Sequence, residues 1–78
     1  MNERAALEFA SEHMVVVSED WNPEHGVTRF RVGCHVLTMT RSSVGVMWQL
    51  DETCVYIRSR GNAIKYCVDL ELVEQGRW

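Results

Sequence analysis

The chain has one proline, one lysine and no run of apolar residues longer than four. A helix that crosses a bilayer needs ~20 consecutive apolar residues, so none is expected here. The three cysteines, Cys34, Cys54 and Cys67, are an odd number and form no CxxC pair. That argues against a disulfide framework, fits a reducing compartment, and leaves them as small packing residues. Neither a GxxxxGK[ST] nor a GxGxxG loop is present to cradle a phosphate. No N-terminal stretch joins a basic start to an apolar core, so no secretory signal is expected and the chain reads as cytoplasmic.

What is present suits one small globule. Seventy-eight residues, 46% hydrophobic and 24% charged, imply a single domain over 1–78 with a thin stability margin. The net charge of −3 is unevenly spread: six acids and one base over residues 1–26, six bases and two acids over 27–66, three acids and one base over 67–78. Seven of the eight bases are arginine, whose flat fork of donors suits carboxylate and phosphate.

Asn2 is an N-cap candidate with Glu3 in the first turn. From there Ala6, Leu7, Ala10 and Met14 share one side and Arg4, Glu8, Ser11 and Glu12 the other, which predicts an amphipathic helix of about three turns lying on a sheet. Met14–Val17 turns to β-branched residues and predicts a first strand. Ser18–Gly26 holds the only proline and reads as a wide turn, with Trp21 as a lid on the core. Val27–Arg41 is the longest strand-like run. Fully extended it would span roughly 50 Å, against a radius of gyration of about 11 to 12 Å for a domain of this size, so it must bend or break, and Gly33 is the natural place. Val44–Leu50 and Thr53–Arg60 read as further strands around an acidic turn at Asp51 and Glu52. Gly61–Asn62 carries a hairpin signal. Ile64, Tyr66, Val68, Leu70 and Leu72 alternate with polar positions and predict a last strand. The expected fold is α+β: an N-terminal helix packed on a strongly bent antiparallel sheet of four to five strands, a meander that could close into a small barrel.

Catalytic chemistry finds little support. Cys34 and His35 are adjacent, but neighbours in a strand point to opposite faces, so they do not form a nucleophile and base unless Gly33 distorts the backbone. A zinc site would need about four of Cys34, Cys54, Cys67, His13, His25 and His35 to converge, and none are paired at ligand spacing; no metal and no cofactor are expected. Asp51, Glu52, Asp69 and Glu71 are expected to be solvated.

The remaining feature is a basic face. Arg29, Arg31, Tyr56, Arg58, Arg60 and Lys65 would share one sheet face if the outward sets of two strands coincide, giving five cations around one aromatic ring. Such a face suits an acidic patch on a partner protein or a nucleic-acid backbone with a stacked base. Trp21, Trp48 and Trp78 could anchor an interface. The expectation is a non-catalytic protein-binding module, such as a small inhibitor or regulator of a larger machine of the anti-CRISPR kind made by phages and mobile elements, a version that rests on size and the lack of a site alone. The alternative is a small nucleic-acid-binding barrel, against which the acidic total argues. An exposed edge strand also offers a route to a homodimer.

Overall fold

A computed structural model describes residues 1–78, in the order α1 (Glu3–Glu12), β1 (Val17–Asn22), β2 (Gly26–Val32), β3 (His35–Ser42), β4 (Gly45–Leu50), β5 (Tyr56–Ile57) and α2 (Arg60–Glu74). The five strands form one antiparallel sheet in chain order. It is an open meander: β1 and β5 are its two edges, and the sheet does not close into a barrel. The α+β class is as the sequence predicts, while several elements differ in kind.

Helix α1 begins where Asn2 Oδ1 accepts the Ala5 N–H, one of the four donors that a helix start leaves without an internal partner. It ends before Met14, which takes φ +58°. The long strand-like run is two strands. Val32 faces His35 across a two-residue turn of Gly33 and Cys34, and Gly33 has φ +60°, which suits glycine at the first central position of a hairpin. The sequence marks the right residue, but the chain reverses there instead of bending. Strand β1 takes in Ser18–Asn22, so the wide turn shrinks to residues 23–25, where Asn22 Oδ1 accepts the Glu24 N–H.

The largest departure is at the C-terminal end, where the expected last strand is helix α2. Ser59 Oγ accepts the Asn62 N–H as N-cap, and Gly61 and Asn62 lie in the first turn instead of a hairpin. Ile64, Val68 and Leu72 are four apart, a spacing that suits alternation and a helical stripe equally. Ala63 and Cys67, at odd positions, are fully buried beside them, and two adjacent rows buried at once are the mark of a helix face.

Helix α2 lies across β2 to β5, and α1 packs chiefly on α2. The core between sheet and helix holds Phe30, Val32, Leu37, Trp48, Leu50, Ile64, Val68 and Leu72. Phe30 and Trp48 meet with ring centroids 5.2 Å apart. Trp48 is thus core, whereas Trp21 is 70% exposed and is not a lid. Trp78 is also exposed, though its ring approaches His13 at 5.1 Å. Glycine is required where α2 begins: a methyl on Gly61 would run into the backbone of Met1 and Asn2. The radius of gyration is 12.1 Å, and no helix is long and apolar enough to cross a membrane.

Candidate functional site

Two regions gather polar side chains, and Asp51 belongs to both. The first is the sheet face that carries no helix. Strand alternation sends Phe30 and Val32 into the core and Arg29 and Arg31 to the opposite side. Register extends that side into a cross-strand row: Asp20 opposite Arg29, Arg29 opposite Thr38, Thr38 opposite Gln49, Gln49 opposite Tyr56. Arg29, Val36, Thr38, Asp51 and Glu52 line a shallow depression of about 320 Å³ on this face. Arg58 is exposed just beyond β5.

Of the six residues expected to form one basic face, Arg29, Arg31 and Tyr56 therefore do share a side. Arg60 and Lys65 do not. Both sit on α2, because the segment is helical and follows no hairpin. Arg60 pairs with Glu3 at 3.2 Å and lies over the Trp48 and Phe30 rings at 5.1 and 5.7 Å. Lys65 pairs with Asp69 at 2.6 Å and lies over the Phe9 ring at 4.7 Å. These two cations join helix to helix and helix to core. Arg29 is itself 3.8 Å from Asp20, a pair between two half-exposed groups that is screened by solvent.

The second region was hidden from the sequence. The turn at Gly33 brings Cys34 and the start of β3 down onto the last turn of α2. His35 Nδ1 lies 2.9 Å from Asp51 Oδ2, and its Nε2 lies 2.8 Å from Glu74 Oε1 and 3.9 Å from Glu71 Oε2. Cys34 Sγ lies 3.1 Å from Glu71 Oε2 and 3.6 Å from Glu74 Oε2, and the Cys34 N–H also donates to Glu71. One donor atom from each of Cys34, His35, Glu71 and Glu74 falls within 4.8 Å of every other. Gly33 is needed a second way, since a Cβ there would collide with the Glu71 carboxyl.

Adjacent residues meet here because Cys34 occupies a turn and not a strand, which removes the opposite-faces constraint. Glu71 and Glu74 fall together because they are three apart on a helix. Reading that segment as a strand separates them, and a search confined to cysteine and histidine passes over both. The signal available was the i, i+3 carboxylate pair, visible only once Ser59 is taken as a helix cap.

The electrostatics of the cluster are one-sided. The Glu71 carboxylate, through its hydrogen bond and its charge, pushes the Cys34 thiol up to about 11, so as it stands this sulfur is a thiol and a poor nucleophile. Burial opposes protonation of His35, but the hydrogen bonds to Asp51 and Glu74 outweigh it and raise its pKa. Asp51 is raised by burial and lowered more by His35 and the Val36 N–H, with a net fall. Glu71 is lowered by donation from the Cys34 thiol and N–H. Asp51 and Glu71 are thus engaged carboxylates, contrary to the expectation that they stand free in water.

Compared with protein-family models, with curated proteins and with solved structures, the chain finds no match in any of the three.

Proposed function

We propose that this domain is a non-catalytic binding module whose helix-free sheet face receives an acidic segment of a partner protein. The observation that carries the reading is the row across that face, with Arg29 and Arg31 on one strand and exposed Tyr56 at the far end of the Arg29 row. Guanidinium groups take carboxylates in fork geometry, and an aromatic ring among them supplies the anchor that recognition surfaces favour. Thr38 and Gln49, between them, are uncharged and partly exposed. A domain of this kind acts by occupying a surface on something larger, and a small inhibitor or regulator is the role that fits; a phage or mobile-element inhibitor of the anti-CRISPR kind is one instance of it.

Two features favour protein over nucleic acid as the partner. A phosphate backbone is held by many cations in a track, and with Arg60 and Lys65 committed to the helices the face keeps Arg29 and Arg31, with Arg58 exposed just beyond β5. Asp20, Asp51 and Glu52 stand at its margin and would repel a polyanion while giving a mixed-charge protein surface its register.

The test uses an array of acidic peptides beside a mixed RNA and DNA pool, probed with the wild-type domain and with Arg29→Glu/Arg58→Glu. Salt-sensitive binding to acidic peptides, lost in the double variant, supports the reading. Preference for the nucleic-acid pool, with affinity falling steeply between low and moderate salt, replaces it with the alternative. Peptide binding that the double variant retains removes the sheet face from consideration.

A further inference from the structure

Independently of what docks on the sheet, we infer that Cys34, His35, Glu71 and Glu74 form a binding site for one divalent transition-metal ion of the zinc class. Four donors on two separate elements converge on one point: a sulfur and an imidazole nitrogen from the β2–β3 turn and the start of β3, and two carboxylates from the last turn of α2. Ligand lengths of about 2.0–2.3 Å in a tetrahedral zinc site place neighbouring donors ~3.3–3.6 Å apart. Separations here are 2.8 Å from His35 Nε2 to Glu74 Oε1, 3.1 and 3.6 Å from Cys34 Sγ to Glu71 Oε2 and Glu74 Oε2, and 3.9 Å from His35 Nε2 to Glu71 Oε2, with one donor from each residue within 4.8 Å of every other. They lie on both sides of that range, so a bound ion draws the four donors together, with Glu74 presenting one of its two oxygens.

Charge points the same way. Asp51, Glu71 and Glu74 have His35 as their sole cationic neighbour within 4.0 Å. Glu71 and Glu74 also stand at the C-terminal end of α2, whose last turn carries no basic residue. That is the negative end of the helix dipole, where a cation stabilises and a carboxylate does not. A bound dication corrects both imbalances at once.

The fit extends beyond the four donors. Asp51 holds His35 Nδ1 at 2.9 Å while Oδ1 of the same carboxylate accepts the Val36 N–H at 2.9 Å. A carboxylate on the far nitrogen fixes the ring and leaves Nε2 for the metal, the outer-shell arrangement usual for a ligating histidine. Thiolate and imidazole select zinc and its neighbours in the transition series over magnesium and calcium, which prefer all-oxygen shells. No bond other than coordination forms. The dication displaces the Cys34 thiol proton and the proton that His35 Nε2 shares with Glu74, and both leave to solvent; no electron is transferred. The product is a staple that ties the Gly33 turn to the end of α2, across a sequence separation of 40 from Cys34 to Glu74.

The test titrates the reduced, chelator-treated 78-residue chain with zinc sulfate by calorimetry and with cobalt chloride by absorption, using magnesium chloride as the control. One zinc per chain is expected, together with a higher melting temperature and, with cobalt, a thiolate-to-metal charge-transfer band and the visible bands of a tetrahedral site. Cys34→Ser abolishes the charge-transfer band. Glu74→Gln weakens zinc binding at least ~10-fold and Asp51→Asn by ~10- to 100-fold, the usual effect of removing a ligand's outer partner. Cys54→Ser changes nothing. Circular dichroism of each metal-free variant confirms that it folds, which Cys34→Ser and Glu74→Gln, at solvent-exposed positions, should do. The inference is overturned if zinc binding is not saturable at one per chain, if the cobalt band survives in Cys34→Ser, or if Glu74→Gln binds zinc as the wild type does.

Discussion

Gly61 lies where α2 starts beside the first residues of the chain, and a methyl group there meets the backbone of Met1 and Asn2. Backbone cannot swing aside as a side chain can, so Gly61→Ala is expected to cost about 1–3 kcal/mol, the range for overpacking, measured as a lower midpoint in urea. The cysteines divide by burial. Cys67 is fully buried, and its thiol is pushed up to about 12 by desolvation and by the charges of Asp51 and Glu71, while Cys54 is exposed. Iodoacetamide should therefore label Cys54 in the folded protein and leave Cys67 untouched until denaturant is added, as peptide mass spectrometry would show. Reading single residues from the sequence worked where a backbone demand is local. Asn2 as a cap and Gly33 as a break are both legible. It failed for Trp21, because whether a ring on a strand meets a covering element depends on where the helices lie.

At the scale of elements, α2 decides the fold, and it was the element least legible. Its apolar residues at 64, 68 and 72 obey two periodicities at once, and Gly61–Asn62 resembles a hairpin turn as much as the opening of a helix. Length was the better guide, since fifteen residues from Arg60 to Glu74 exceed an ordinary strand and suit a helix of four turns. The error also concealed the metal-binding candidate, which needs Glu71 and Glu74 on one helical face. Ser59→Ala removes the cap of α2 and should cost about 1 kcal/mol. Leu72→Ala, at a fully buried position, should cost about 2–5 kcal/mol, so that the ratio of the two in denaturant melts reports how much of the helix is held by packing. The free edge of β1 has its own safeguard. Glu19 stands on the core-facing parity of that edge, opposite Phe30, and is exposed; an inward-pointing charge discourages pairing with another chain. Glu19→Val should leave the monomer folded and raise self-association in sedimentation velocity. An unchanged monomer would show that something other than this charge guards the edge.

For the whole molecule, charge and topology separate the roles. The helix pair carries Glu3, Glu8 and Glu12 and absorbs Arg60 and Lys65 internally, while the bare sheet side keeps Arg29 and Arg31. The segregation seen along the sequence is only partial in space, since Asp20, Asp51 and Glu52 stand beside Arg29 on the sheet side. The topology has a further effect on the order of events. The strands follow one another in chain order, so each hairpin closes locally, but the element that covers their apolar side, α2, is made after all five of them. A nascent chain that has emerged only as far as Ser59 presents Phe30, Leu37, Trp48 and Leu50 to water or to a chaperone as an oily, unsealed plate. Completion of the domain therefore waits for α2, and translation products stopped short of residue 60 should be found in the insoluble fraction.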